Sequence, residues 1–538
     1  MFKKKSSVFL YAICLIILFI AASQKLYAIL CFGFPKELRE YTSIKMAVDF
    51  ANGVNPYALS LLEGDLPFST NMYGFLAPLF FSPFVKLFSF FSALQVCECI
   101  AFIIELIGIL FFYKAIYLKT SRHTMAIFGS VLAYACFWRY TPFGGAYPDQ
   151  FGITLCFFLI YLLTLHEKKQ RYRPFAYILI TVLLFYIKQY FVLTAFGVFI
   201  YLWVNDSKKS AFQYVGIGIL CGLLSMCLVN TIFPLYFTET LALAHGQTSS
   251  GNVWYSLSQP IKLVMYYIIP FSAIIIGFIL AMIQKHKTRE ISIHGFLSLD
   301  FGHYKISYEL IQLFCMFPLV FYIAQNKGTY YTYYLQLWLP YLIFTGVVML
   351  NYLLNCLTEN TYYLSIGKRI LIAASFTISL LLNSPWILST SISVNTEQNW
   401  NEAYDILSEY SANDGQLLVS AHLAGYCIEN DKYTSEYGQA EFNNQSNYDN
   451  WTNSLLWKTL FPQAGELLHK NIDYNNRLTE AIRNGEFSCI ALTNSTNYGL
   501  PYDAIDTMLE DSPYILLTTL DLCTGDYIWP TYFYILAD

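Results

Sequence analysis

The chain has 538 residues, 56% of them hydrophobic and 18% aromatic, with only 13% charged and a mean hydropathy of +0.44. A soluble domain carries about 25% charged residues, so this composition puts most of the chain in lipid and excludes a wholly soluble enzyme. A net charge of -4 is too small to argue for a nucleic-acid partner, and none is expected. The 13 cysteines include no C-x-x-C, and most stand in apolar runs as small buried hydrophobes.

The N-terminus opens with Lys3-Lys4-Lys5 and an apolar run from Val8 to Leu30. That run exceeds the roughly 7–15 residues of a cleaved signal segment, which predicts an uncleaved first span with the N-terminus on the cytoplasmic side. A loop over residues 31–93 follows. Its Leu38–Ala51 part carries Leu38, Tyr41, Ile44, Val48 and Ala51 at helical spacing. The aromatic run Phe75–Phe91 contains Pro78, Pro83 and Lys86, which predicts an interfacial helix rather than a span.

At about 20 apolar residues per crossing, the remaining candidates are Leu94–Tyr117, Met125–Tyr140, Gln150–Leu165, Phe175–Ile187, Tyr190–Val204, Phe212–Phe233, Ile261–Ile283, Leu310–Ala324, Tyr333–Leu353 and Ile370–Leu388. With the first, that is about eleven transmembrane helices. This count puts each basic cluster on one side, from Lys114, Lys119 and Arg122 to Lys368 and Arg369, as the positive-inside rule requires. The reading is an all-α polytopic membrane domain over residues 1–390, with its long first loop outside. From about Ser391 the composition turns polar. Glu402–Tyr410 reads as an amphipathic helix, and Leu417–Ser420, Cys489–Leu492, Tyr514–Thr519 and Tyr532–Leu536 read as short strands. Residues 391–538 are therefore expected to form a small extracytoplasmic α/β domain. Its Cys427, Cys489 and Cys523 leave any pairing open.

This topology collects Glu37, Glu40, Asp49, Arg139, Asp149, Lys188, His245 and Lys327 on the outer side, where ionisable groups at membrane level are candidate functional positions. Glu40 lies off the apolar stripe near a helix start, which favours the carboxylate a general base needs and would let it face a cavity. Glu37 is its rival one turn earlier. Asp49 reads as a solvated face. Asp149 opens a helix, either as an N-cap or as a site residue. Arg139 would bind a phosphate bidentately or snorkel to the interface. Lys188, in FYIKQYFVL, must face a polar cavity or the interface. No H-x-x-x-H or His/Cys spacing, Walker or Rossmann pattern is present, so no cofactor is expected, although a divalent metal is not ruled out by sequence.

The order of Glu40, Asn55-Pro56-Tyr57 and Tyr73-Gly74 before the Pro-flanked run resembles the first outer loop of GT-C class membrane glycosyltransferases. The family 39-like group, which takes in protein O-mannosyltransferases and lipid A aminoarabinose transferases, shows the same order. Pro148-Asp149, Lys188-Gln189 and Lys327–Leu335 resemble later motifs of that group, with Thr332 or Tyr333 where Asn is common. The resemblance implies a GT-C fold at the plasma membrane of an enzyme serving the cell envelope. Such an enzyme transfers a sugar from a polyprenyl-phosphate donor to a glycan, lipid or protein acceptor outside. It implies Glu40 as base and Asp149, Lys188, Gln189, Arg139, Tyr73 and Lys327 as substrate-binding residues. A lipid-linked glycan transporter or flippase would instead carry charges in mid-span or paired broken helices, whereas here the charges are expected at span ends. A polysaccharide polymerase would place its large outer loop mid-chain.

Overall fold

The computed structural model describes residues 2–36, 40–62, 74–138, 145–169, 173–243, 253–287, 306–327, 334–356, 394–412, 415–430, 449, 451–493, 509, 512–524 and 527–537. In chain order the membrane part builds α1 (Phe2–Cys31), α2 (Glu40–Ala51), α3 (Leu76–Leu87), α4 (Ala93–Thr120), α5 (His123–Trp138), α6 (Pro148–Lys169) and α7 (Pro174–Ile187). It continues with a 3-10 turn (Gln189–Leu193), α8 (Thr194–Asn205), α9 (Lys208–Ile232), a π-turn (Thr238–Leu243), α10 (Val253–Tyr266) and α11 (Ile268–Lys287). The last members are α12 (Tyr308–Lys327), a second π-turn (Tyr334–Trp338) and α13 (Leu339–Cys356).

Among the described residues, five helices are long and apolar enough to cross a membrane: Tyr11–Cys31, Ala93–Thr120, Pro148–Lys168, Lys208–Ile232 and Gln336–Leu353. Shorter apolar helices stand between them, and the chain is a multi-pass membrane protein. Helix α3 has 12 residues. At 1.5 Å per residue that is about 18 Å, short of the roughly 30 Å hydrocarbon core, and α3 packs on α2, α4 and α6 instead. The predicted span Ile261–Ile283 is not one helix. It breaks at Tyr267 into α10 and α11, because the Pro270 ring would clash with the carbonyl four residues earlier, at Tyr266. Helix α11 then packs tightly on α13, where a Cβ on Gly346 would meet Pro270 Cβ at 2.3 Å. The expected span Ile370–Leu388 lies outside the described residues.

Helix α4 is the spine of the bundle, flanked by α5 and α6 and touched by α1, α2, α3 and α13. It carries three buried ionisable groups. Glu98 binds Lys36, Glu105 binds Lys25 of α1, and Lys119 pairs with Glu167 of α6 and Glu309 of α12. The expectation that charges stand only at span ends is therefore corrected. Lys25 and Glu105 lie in mid-span, bonded at 2.7 Å through both carboxylate oxygens and shut from solvent. Pairing is how ionised groups persist there.

The tail contains α14 (Val394–Ser411), β1 (Leu417–Val419), α15 (Ala424–Glu429), α16 (Leu455–Leu460), α17 (Gln463–Arg483), β2 (Cys489–Thr493), β3 (Tyr514–Thr524) and β4 (Tyr527–Leu536). The sheet order is β1-β2-β4-β3, with β1 parallel to β2 and the other pairs antiparallel. Strands β3 and β4 extend beyond the predicted segments. Pro530 hid this extension, since proline is rare inside sheets. The residue is tolerated because β2 stops opposite Thr531, so on that side β4 is an edge strand from Tyr527 to Pro530. Cys427 and Cys489 are buried in one core with Trp400, Leu407 and Phe533.

Candidate active site

The site is assembled around the opening turn of α6. Gly145 has φ of 100°, a conformation glycine adopts without strain. The next residues then radiate in three directions. Ala146 N–H donates to Glu40 Oε1 at 2.6 Å. Asp149 turns toward the end of α7. Gln150 donates to Gly145 O at 3.0 Å and bonds Glu105. Pro148 costs nothing there, because a helix's first N–H groups have no partner inside the helix.

On one side of this turn lies Glu40, with 0% exposure. Its Oε2 accepts the Lys36 N–H at 3.0 Å. The Lys36 ammonium binds Glu98 Oε2 at 3.0 Å and Phe32 O at 2.6 Å. The ammonium thus bonds the Glu98 carboxyl and acts on Glu40 through its charge, while Glu98 Oε1 has no hydrogen-bond donor. Burial raises the Glu40 pKa above the ordinary carboxylate value, while the Lys36 charge and the Lys36 and Ala146 N–H groups pull it back. The expectation that Glu40 faces a cavity needs correction: in the described structure its carboxyl is enclosed. Helix α2 is buried on more than its apolar stripe, because α4, the α6 turn and the tail domain cover it from several sides.

On the other side lies Lys188, the C-cap of α7, whose backbone is extended between α7 and the 3-10 turn. Its Nζ donates to both Asp149 oxygens, at 3.0 and 2.9 Å, and stands 5.4 Å from the ring centres of Tyr147 and Tyr190. The Lys188 side chain is 11% exposed against 3% for Asp149, so Lys188 is the more exposed member of the pair. Tyr190 Oη lies 2.5 Å from Asp149 Oδ1 and 2.5 Å from Gln336 Oε1. A phenol has one proton to give. Turning the Gln336 amide over makes its Nε2 the donor to Tyr190, and that nitrogen has no other bond. Gln189 reaches away, toward Thr240 O at 3.5 Å.

Glu40, Asp149 and Lys188 are therefore gathered at one turn, in two adjoining clusters. Asp49 is apart from them, paired with Lys45 along α2. Arg139, Tyr73, Glu37 and His245 lie outside the described residues, as does the side chain of Lys327, the last residue of α12. Sequence reasoning missed Lys36, Glu98, Tyr190 and Gln336. Glu98 was findable as a carboxylate in an apolar run; Tyr190 and Gln336 gave no signal apart from their neighbours. A cavity of about 570 Å³ opens between α7, α8 and α9, walled by Phe185, Phe196, Phe199, Phe212, Ile219 and Met226.

No protein-family model matches the chain, and no curated protein matches it significantly in sequence. Solved structures do match its shape. ArnT from Cupriavidus metallidurans bound to undecaprenyl phosphate superposes with a TM-score of 0.55 at 10% identity, over 98% of this chain and 97% of that one. The apo state of the same protein gives 0.54 at 12% identity, over 99% and 98%. The chain has the GT-C fold. The Archaeoglobus fulgidus oligosaccharyltransferase tethered with an acceptor peptide scores 0.49 at 10% identity, over 93% of this chain and 71% of that one. The near-complete mutual coverage with ArnT includes the tail, so the GT-C likeness extends beyond the bundle.

Proposed function

We propose that the chain is a membrane glycosyltransferase moving a sugar from a polyprenyl-phosphate donor to an acceptor on the outer side of the membrane. The observation that carries this reading is the meeting of a buried carboxylate and a buried lysine at one turn of a GT-C fold. ArnT, the neighbour of the same fold, is bound to undecaprenyl phosphate. A phosphate leaving group departs without a general acid, so the chemistry needs one base and a cation on the leaving oxygen.

In this reading Glu40 takes the proton of the acceptor hydroxyl. Each carboxylate oxygen has a second lone pair beyond the one engaged by a backbone N–H, so the base keeps its anchoring bonds while it acts. The acceptor enters by parting the cover over Glu40. Lys188 neutralises the departing phosphate, with Asp149 and Tyr190 fixing the ammonium beforehand. The apolar cavity between α7 and α9 takes the isoprenoid chain; Val192, four residues after Lys188, lines it. Arg139, Tyr73 and Lys327 complete the substrate contacts, the N-terminus is cytoplasmic and the tail is outside.

The test is transfer of labelled sugar from a polyprenyl-phosphate donor in proteoliposomes. Glu40→Gln is expected to lower kcat by at least about a hundredfold with little change in donor KM. Lys188→Met is expected to raise donor KM. Undiminished transfer by Glu40→Gln would remove Glu40 from the chemistry.

A further inference from the structure

The tail domain touches all three pieces of chain that form the Glu40–Lys36–Glu98 cluster. Trp400 of α14 stacks on Phe34, two residues before Lys36, with ring centres 5.4 Å apart and planes 1° from parallel. Gly425 of α15 lies so close to Tyr41, the neighbour of Glu40, that a Cβ there would be 1.7 Å from Tyr41 Cζ. Tyr404 hydrogen-bonds the Tyr41 hydroxyl. Glu429, the last residue of α15, accepts the Ala93 N–H at 2.8 Å and bonds Leu94 N–H too. Ser92 caps the same helix end through Gln95 N–H. Two side chains, one from 336 residues away, thus satisfy the first N–H groups of α4, and the anion suits the positive end of the helix dipole. Glu98 follows Ala93 by less than two turns.

We infer that the tail domain is a positioning element for the buried carboxylate cluster, with Glu429 and Gly425 of α15 as its contact residues. Glu429 sets where the start of α4, and hence Glu98, stands. Gly425 and Tyr404 set where Tyr41, and hence Glu40, stands. Trp400 fixes the Lys36 segment between them. None of these tail residues touches the reacting groups. The catalytic role of Glu40 rests on the reading above; the positioning does not.

The test uses the full chain and a readout independent of sugar transfer. The infrared difference between the protein and its Glu40→Gln variant reports the carboxyl bands of the Glu40–Glu98 pair, whose midpoint is then titrated. Glu429→Leu is expected to move the midpoint up by about one pH unit, because displacing Glu98 draws the Lys36 ammonium it binds away from Glu40. Glu429→Gln keeps an oxygen acceptor and is expected to titrate like the parent. Gly425→Ala is expected to shift the midpoint as Glu429→Leu does, and adding Tyr41→Leu, which removes the clashing ring, to bring it back. If Glu429→Leu does not fold, the Gly425 pair decides alone. A parental midpoint in folded Glu429→Leu and Gly425→Ala would overturn the inference, as would an equal shift in Glu429→Gln. Where transfer is measurable, kcat should fall about tenfold at constant donor KM. Absence of transfer in the parent chain would sink the glycosyltransferase reading and leave the titration to judge this one.

Discussion

Lys36 is the residue on which the ionisation of Glu40 turns. Burial alone would hold Glu40 protonated at higher pH, and the nearby ammonium is the largest influence opposing it. A base works only when ionised, so activity is lost as pH falls through the Glu40 pKa, which lies above that of an exposed glutamate. Replacing Lys36 by Gln removes the lowering influence. The acid limb of the kcat/KM profile is then expected to move to higher pH, and an unmoved limb would show that Glu40 is not the group it reports. Asp149 acts differently. Its carboxylate holds Lys188 through two bonds, so Asp149→Asn frees the ammonium, and the measurable consequence is a changed donor KM with the acid limb in place. This contrast separates the two clusters by pH behaviour. Glu40 was legible as a candidate because it lies off an apolar stripe near a helix start, Asp149 because it opens an apolar helix, and Lys188 because it stands between two apolar runs. The enclosure of Glu40 was not, since what covers it comes from α4, the α6 turn and the distant tail.

At the scale of elements, the opening of α6 and the end of α7 form the working edge, and glycines set how closely they pack. Gly74 N–H donates to Ile187 O at 3.2 Å, and a Cβ on Gly74 would stand 1.8 Å from Tyr186 O. Both contacts are to backbone at the end of α7, one residue before Lys188. Backbone cannot swing aside like a side chain, so Gly74→Ala must displace either the start of α3 or the α7 end. The expected result is a raised donor KM together with a lower Tm; a parental KM would show that Lys188 does not depend on this packing. The Tyr73-Gly74 pair was visible in the sequence as a motif, but its reason, a close approach of Gly74 to the distant end of α7, was not. Hydrophobic runs revealed helices well where their ends were marked by charge or proline. They failed at Ile261–Ile283, where a continuous apolar run masks the break that Pro270 imposes, and in β3 and β4, where Pro530 argues locally against a strand that its edge position permits.

At the scale of the molecule, α4 is long and apolar enough to cross a membrane and carries buried ion clusters near both of its ends. From Glu98 to Lys119 it rises through 21 residues, about 32 Å, so the Lys119 cluster lies far from Glu40. Charged residues in apolar runs were visible in the sequence, but their partners were not, because helical spacing says which face a side chain occupies and nothing about which other helix it meets. Lys119 is wholly buried, bonded to Glu167 and 3.5 Å from Glu309 Oε2, while Thr164 donates to Glu309 Oε1 at 3.3 Å. One ammonium thus draws α4, α6 and α12 together. Lys119→Met would leave two carboxylates facing each other without a cation, and breaking a buried pair from one side costs about 3–5 kcal/mol. The expected outcome is a marked fall in the Tm of the purified protein. At temperatures where the variant is folded, donor KM and the acid limb of activity should stay at parental values, because the carboxylate cluster at the other end of α4 keeps its own partners. Adding Glu167→Gln and Glu309→Gln removes the orphaned charges and should recover part of the lost Tm. A triple variant no more stable than Lys119→Met would show that the contribution of Lys119 is packing along its alkyl stem rather than charge. A shifted acid limb in Lys119→Met would show instead that α4 transmits displacement along its length, and that the two ends of this protein are not independent.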